Sequence, residues 1–312
     1  MEQVVSAIMV NAAMPEQKKD AVRCRPIAVA DLDAVAALLT RGFPDRARDY
    51  WDTALSRLRE RVLPRDTRGQ DCPRFGYVLT ANERPVGVLL LIFSADTRST
   101  DAAALRCNVS SWYVEPEFRS YASLLVTAAI RTRGVTYLNI SPAAHTWPIL
   151  EAQGYRRYGR GQLFAIPALS RPRRDVVVRV ISPVDPAPVV GLDPSIAELL
   201  RRHAGYGCIS LVCSGPEGVV PFMFVRRPTA RNLLSAAQLT YCRDLQDFAG
   251  YAGNLGRFLL ARGIAIAVVD TNAPLPGVVG KFAADKATKY ARGAQLPVLG
   301  DFSDTELTLF GA

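Results

Sequence analysis

Apolar residues in the first half of the chain fall into runs of two kinds. Short continuous runs bounded by Gly, Pro, Asn or Asp predict strands, and apolar residues at a three- and four-residue spacing predict helices. The predicted strands are residues 23–29, 75–80, 86–93, 106–114, 136–140 and 161–166, and predicted helices begin at Asp31, near residue 46, after Pro116 and at Pro142. This order predicts an α+β fold with a mixed, mostly antiparallel sheet flanked by helices.

The same order of runs returns after an Arg- and Pro-rich segment at residues 170–174, which we interpret as a linker. Tyr121-Ala122 stands twelve residues before Arg133-Gly134, and Tyr251-Ala252 stands eleven before Arg262-Gly263. Two interpretations stay open: a tandem duplication, or the strand, helix, glycine and strand order common to many α/β proteins.

Under the duplication hypothesis the chain divides into four parts. We expect a flexible tail at residues 1–20, an N-terminal domain at 21–169, the linker at 170–174 and a C-terminal domain at 175–312. Each domain is expected to carry its own mixed sheet.

Composition indicates a folded globular protein, because apolar residues make up 49% and charged residues 21%. The net charge of +9 suits an anionic partner, but no Lys/Arg run with interleaved aromatics occurs. That pattern favours dispersed solubilising charge over a nucleic-acid groove. The six cysteines form no CxxC pair and are expected to be reduced thiols. With no basic region before the apolar stretch 4–14 and no window long enough for a membrane span, we expect a cytoplasmic protein.

The most informative segment is residues 112–125, WYVEPEFRSYASLL. It predicts a strand that enters a short turn and then directly a helix. The first amides of that helix, near residues 120–123, are expected to face outward with the positive end of the helix dipole behind them. Such a helix start binds phosphate or pyrophosphate, and Arg119 is placed to add a charge-assisted contact. The alternative is an ordinary strand-to-helix turn.

This segment resembles the acyl-CoA loop of the GNAT superfamily of acyltransferases. The family pattern is a strand ending near Val-x-Pro, then Arg or Gln, two residues, Gly or Ala, one residue, and Gly or Ala. Val114, Pro116, Arg119 and Ala122 match it, whereas Leu124 stands where the second small residue is usual.

The resemblance extends over residues 23–166, which follow the family's order of elements. Residues 151–155, EAQGY, are similar to the family's late helix that ends in Gly-Phe. Many relatives have a tyrosine before that ending that protonates the departing CoA thiolate, and Leu150 stands at the matching position here. The general acid is therefore not identified.

The resemblance implies an N-acyltransferase in which an amine attacks a thioester directly, without a covalent enzyme intermediate. The implied cosubstrate is acetyl-CoA or a longer acyl-CoA, and the implied acceptor is an amine of a small molecule or protein. The expected cofactor-binding residues are Tyr113, Val114, Arg119, Ser120, Tyr121, Ala122, Ser123 and Asn139. No metal is expected, because the chain has two histidines and neither HExxH nor paired cysteines.

Two side chains are candidates for proton transfer. Glu115, at the mouth of the strand, is the first choice for a base, with a solvated turn residue as the alternative. His145 follows the next strand and histidine titrates near neutral pH, with a surface or capping histidine as the alternative.

A comparable but acidic loop is predicted in the second half at residues 244–256. Asp244 and Asp247 would repel a pyrophosphate there, so this half is expected to be structural or substrate-binding, a degenerate second copy. Two further functions stay open: a non-catalytic tandem binding module, and a transferase whose acyl donor is an acyl carrier protein.

Overall fold

A computed structural model describes residues 21–96, 98–99, 104–184, 189–227 and 235–311 of the chain. The predicted tail at residues 1–20 lies outside the described residues. The strands are β1 (Val22–Pro26), β2 (Gly76–Ala81), β3 (Arg84–Ala95), β4 (Leu105–Val114), β5 (Val135–Asn139), β6 (Arg156–Ala165), β7 (Val177–Val180), β8 (Ile209–Gly215), β9 (Gly218–Arg227), β10 (Ser235–Cys242), β11 (Ile264–Asp270) and β12 (Gly280–Arg292). The helices are α1 (Leu32–Gly42), α2 (Arg48–Glu60), α3 (Ala122–Ala129), α4 (Trp147–Ala152), α5 (Pro194–Gly205), α6 (Leu245–Leu260) and α7 (Glu306–Leu309).

These strands join in one sheet, in the order β1-β2-β3-β4-β5-β12-β6-β11-β10-β9-β8-β7. The pairs β4·β5 and β10·β11 are parallel, and the other neighbours in that order are antiparallel. The predicted α+β class with a mixed, mostly antiparallel sheet is confirmed, but the strands form one continuous sheet in place of the separate sheet expected for each domain.

The two halves of the chain interleave at the centre of this sheet. β12, from the second half, lies between β5 and β6. β6, from the first half, lies between β12 and β11. Each half is thus completed by a strand of the other, which also leaves neither with an unpaired edge at the junction. The duplication and the domain boundaries at 21–169 and 175–312 stay predictions.

Helices cover both faces of the first half of the sheet. Alternate residues of β3 point to opposite faces, and both sets are buried. Leu89 and Leu91 pack in the core that includes Leu125 of α3, whereas Val88 and Leu90 pack in the core beneath α1 and α2. A strand covered on both faces is apolar without interruption, which is why its position was predictable.

The prediction of a loop at residues 244–256 is wrong, because the helix α6 already begins at Leu245. Asp244 caps it, with its carboxylate accepting a hydrogen bond from the amide of Gln246 at 2.8 Å. The helix glycines serve close packing against the linker region. A Cβ on Gly256 would lie 2.1 Å from the backbone nitrogen of Ala168. The backbone that approaches these glycines is therefore the chain's own.

No helix within the described ranges is both long enough and apolar enough to cross a membrane.

Candidate active site

A gap opens in the first half of the sheet where two parallel strands separate. β4 and β5 pair from Leu105↔Val135 to Asn108↔Leu138. Beyond Asn108, β4 continues along β3 to Val114, but with a bulge: Leu89 faces Trp112 and Leu90 faces Ser110. Ser111 is the extra residue and has a φ of 23°. A bulge bends its strand and leaves the extra residue out of the ladder, so it turns β4 away from β5.

A cavity of about 470 Å³ occupies this gap. On one face of the sheet it is lined by Val126 of α3, by Ile130 immediately after that helix, and by Leu150 of α4. On the other face it is lined by Tyr50 and Trp51 of α2. The cavity therefore reaches from one face of the sheet to the other through the space between the two strands.

Glu306, contributed by the second half of the chain, lies in this gap. Its carboxylate accepts hydrogen bonds from the hydroxyls of Ser110 on β4 and Ser141 just after β5. Its backbone amide donates to Oδ1 of Asn108 at 3.3 Å. Burial raises the pKa of Glu306, while the two serine hydroxyls and the charge of Lys289 act in the opposite direction. The carboxylate thus spans the strands at the point where their pairing is lost.

A buried ionic network holds the segment that carries Glu306. Asp301 accepts hydrogen bonds from Nη1 and Nη2 of Arg106 on β4, at 2.8 and 3.1 Å, and from Nε of Arg98 at 3.2 Å. Nη2 of Arg106 also donates to the carbonyl of Ser303 at 2.9 Å. These contacts attach residues 301–303 to the strand that forms the gap.

The residues predicted for catalysis, Glu115 and His145, and the predicted cofactor-binding residue Asn139 lie in different places. His145 and Asn139 line the cavity. Glu115 is not among the lining residues; its carboxylate accepts from Nη2 of Arg41 at 2.9 Å and from Nη1 of Arg84 at 2.8 Å. Two arginines therefore hold Glu115 outside the gap, and we do not retain it as the base.

The predicted cofactor loop starts differently from the expectation. A 3-10 turn over Pro116–Tyr121 runs directly into α3, and the amide of Ala122 donates to the carbonyl of Arg119. That amide is consequently not free for a phosphate. The side chains of Arg119, Ser120 and Ser123 are exposed at this position, so an anion here would meet side chains.

The remaining residues of the loop are partly or fully buried, except for Leu124. Tyr121 and Ala122 pack against the core under α3. Val114 is buried, and the ring of Tyr113 packs with Phe43 on the opposite face. Leu124, which departs from the family pattern, is 43% exposed.

Sequence reasoning missed Glu306. The only local signal was Thr305, a residue type favoured immediately before a helix, followed by the acidic residue at the helix start. That signal predicts a short helix, but it contains nothing that assigns the helix to the first half of the sheet.

The corresponding gap in the second half is filled by protein. β10 and β11 pair in parallel only as far as Gln238↔Val268. Beyond this point the amide of Cys242 donates to the carbonyl of Gly300, and the amide of Phe302 donates to that of Thr240, both at 2.8 Å. The same segment that brings Glu306 to the first gap therefore closes the second.

Another hollow, of about 720 Å³, is lined by the loop near residues 66–73 and by Arg131 and Arg133, and shares no lining residue with the gap. Among the described residues, no three His, Cys, Asp or Glu side chains are grouped as metal ligands are.

No protein-family model and no curated protein matches the chain. Solved structures match most of it. A GCN5-related N-acetyltransferase from Kribbella flavida aligns with a TM-score of 0.54 and 15% identity, covering 88% of this chain and 71% of its own. One from Anabaena variabilis ATCC 29413 aligns with a TM-score of 0.56 and 9% identity, covering 87% and 72%.

A third structure, a conserved protein of unknown function from Enterococcus faecalis V583 described as a probable N-acyltransferase, aligns with a TM-score of 0.54 and 12% identity. The alignment covers 91% of this chain and 74% of the chain of that structure. Similarity at such low identity establishes the fold and not the reaction. The chain has the fold of the GCN5-related N-acetyltransferases.

Proposed function

We propose that the chain is an acyl-CoA-dependent N-acyltransferase whose reaction centre is the gap between β4 and β5. The observation that carries this proposal is the cavity that connects the two faces of the sheet at the bulge of Ser111. A thioester entering beside α3 and α4 and an amine entering beside α2 would meet there. Holding two reactants in one enclosed space is the main requirement of a direct transfer.

The residues around the gap fit an acyl-CoA. The exposed side chains of Arg119, Ser120 and Ser123 surround the start of α3, where a diphosphate gains from the helix dipole. The apolar lining from α3 and α4 suits a pantetheine arm, and Asn139 adds a polar contact. Ser111 at the bulge is left out of the β ladder, and the backbone at this point is the one we propose to polarise the thioester carbonyl.

The departing thiolate needs a proton donor, and the apolar side chain of Leu150 cannot donate a proton. Tyr155 lines the cavity close to Leu150 in the chain, and its phenol is a hydrogen-bond donor. Burial raises the pKa of Tyr155, so the donor stays protonated at neutral pH. We assign Tyr155 as the acid and keep His145, which lines the same cavity, as the alternative.

The competing function is a non-catalytic binding module, supported by the occupied amide of Ala122 and by the filled gap of the second half. Calorimetric titration with acetyl-CoA and longer acyl-CoAs, followed by thiol release on adding amines, separates the two. Binding without thiol release identifies a module. Release that requires an acylated carrier protein identifies the carrier-protein variant.

Arg119→Glu tests the location of the cosubstrate. Reversing a charge beside the phosphates should weaken acyl-CoA binding by about 10- to 100-fold, the value of one charge-assisted contact. Arg262→Glu, an exposed arginine at the end of α6, changes the net charge equally and should leave the affinity unchanged. Equal affinities for both variants and the wild type would exclude a diphosphate site at α3.

A further inference from the structure

The carboxylate of Glu306 is held at the junction of the two approaches to the gap. Its two oxygens accept from Ser110 and Ser141, so it bridges the strands that diverge on either side. Among the described residues that line the cavity, Glu306 is the one carboxylate. Glu306 is therefore the carboxylate that is available inside the cavity to a proton leaving an acceptor.

Positive charge surrounds Glu306 from several elements. Lys289 of β12, which is itself paired with Asp270, acts on it electrostatically, and the guanidinium groups of Arg46 and Arg227 line the same cavity, as does the ring of His145. Tyr50 on α2 lines the same cavity; burial raises the pKa of its phenol, the charge of Arg46 lowers it and the charge of Glu306 raises it. One carboxylate among these groups can pair with a single ammonium, whereas a second ammonium would meet like charge.

The wall on the α2 side is apolar and aromatic. Trp51, Phe43 and Phe310 line it, and Trp51 is almost fully buried. The indole Nε1 atoms of Trp51 and Trp112 have no hydrogen-bond partner in the described part of the chain. Such a wall accepts a hydrocarbon body.

We infer that Glu306 is the proton acceptor of the transfer reaction, and that the acceptor is a primary monoamine carried on an apolar body. This inference rests on the proposed function and names its base and its substrate class. The ammonium binds Glu306 from the α2 side, with its hydrocarbon part against the aromatic wall.

The proton balance is complete with these groups. Glu306 takes one proton from the ammonium, which frees the nitrogen lone pair. The lone pair forms the C–N bond to the acyl carbon as the C–S bond breaks, and the thiolate keeps the electron pair of that bond. Tyr155 donates a proton to the thiolate, and the second proton lost by the nitrogen replaces it on Tyr155. The products are an amide, a thiol and one proton, which Glu306 returns to solvent.

Glu306→Gln keeps the shape of the side chain and removes the base. General-base catalysis contributes about 10²- to 10⁴-fold, so kcat/KM for a protonated amine should fall by at least 100-fold at pH 7. Acyl-CoA affinity should stay unchanged. In the wild type, kcat/KM should increase with pH as Glu306 loses its proton, which gives the pH profile a rising limb. The variant should not show this limb. A merely structural role would not remove it.

Glu198→Gln is the matched control, because Glu198 is an exposed carboxylate on α5 that pairs with Arg201. Its rate and pH profile should equal those of the wild type. Glu306→Asp, which retains a base on a shorter arm, should recover part of the rate and the pH limb. This second variant keeps the test valid if the glutamine variant folds poorly.

Substrate class is tested with amines of matched length on the wild type. Hexylamine and phenylethylamine should exceed 1,6-diaminohexane in kcat/KM by at least tenfold, and each added buried methylene should raise kcat/KM by about fourfold. Equal rates for the monoamine and the diamine would overturn the substrate class.

A retained rate and pH limb in Glu306→Gln would overturn the assignment of the base. Absence of acyl-CoA binding and of thiol release in the wild type would instead refute the proposed function, so the two failures are distinguishable.

Discussion

Replacing Asp301 by asparagine tests whether the buried ionic network holds the segment that carries Glu306. Asparagine keeps the shape of the side chain but removes the negative charge. The side chains of Asp301 and Arg106 are 2% and 5% exposed. The variant would therefore leave the guanidinium of Arg106 buried without its counter-charge.

The expected loss is large because both partners are desolvated. Breaking a buried ion pair by removing one partner costs about 3–5 kcal/mol. At roughly 2–4 °C per kcal/mol for a chain of this size, the thermal midpoint should fall by about 10 °C. Acyl transfer should fall as well, because Glu306 is only five positions further along the same segment.

The control and the double variant separate charge from packing. Asp71→Asn removes a carboxylate from the exposed pair Arg65–Asp71 and should cost less than about 1 kcal/mol. Asp301→Leu combined with Arg106→Met replaces both charges by apolar groups and should recover most of the stability lost in Asp301→Asn. Thermal unfolding of all variants in one buffer provides the comparison.

The dependence on pH has a defined sign. Burial is the largest single effect and would raise the pKa of Asp301, but the charge and hydrogen bonds of Arg106, together with Arg98 and Ser303, outweigh it and lower the pKa. A lowered pKa stabilises the fold above the unfolded value near 4, and this contribution is lost as pH falls through the folded value. The difference between wild type and Asp301→Asn should therefore shrink only in acid. A difference below about 1 kcal/mol at pH 7 would refute the reasoning.

Two further predictions concern packing and charge in the second half. Gly256→Ala should destabilise the protein by about 3 kcal/mol, because the added Cβ meets the backbone of Ala168. Gly250→Ala should stay within about 1 kcal/mol of the wild type, since its Cβ meets the flexible side chain of Arg173 and alanine favours the helix; similar thermal midpoints for both would contradict this. Lys289→Met should lower the free energy of unfolding by about 3–5 kcal/mol, because it leaves the buried carboxylate of Asp270 on β11 without its counter-charge. Adding Asp270→Leu to this variant should restore the thermal midpoint, and a midpoint unchanged by Lys289→Met would contradict the pairing.

Local patterns predicted the elements that carry their own signal. β3 was predicted at residues 86–93 and lies at Arg84–Ala95, because a continuous apolar run follows turn residues. The start of α6 was missed, since the glycines of that helix are usual in loops and their reason lies in the contact with residues 167–172. β12 was missed because most of its residues are polar or small, and its pairing with β5 and β6 stabilises it.

The sequence alone determined the class of fold and the order of its elements, because hydrophobic periodicity and turn residues act over a few neighbouring positions. It also indicated the end of β4 and the start of α3, which flank the gap, as the site of the chemistry. Only the tertiary structure decided that Glu306 lies between Ser110 and Ser141, that Glu115 is held elsewhere by two arginines, and that the second gap is filled. These contacts join residues far apart in the chain, so no local pattern specifies them.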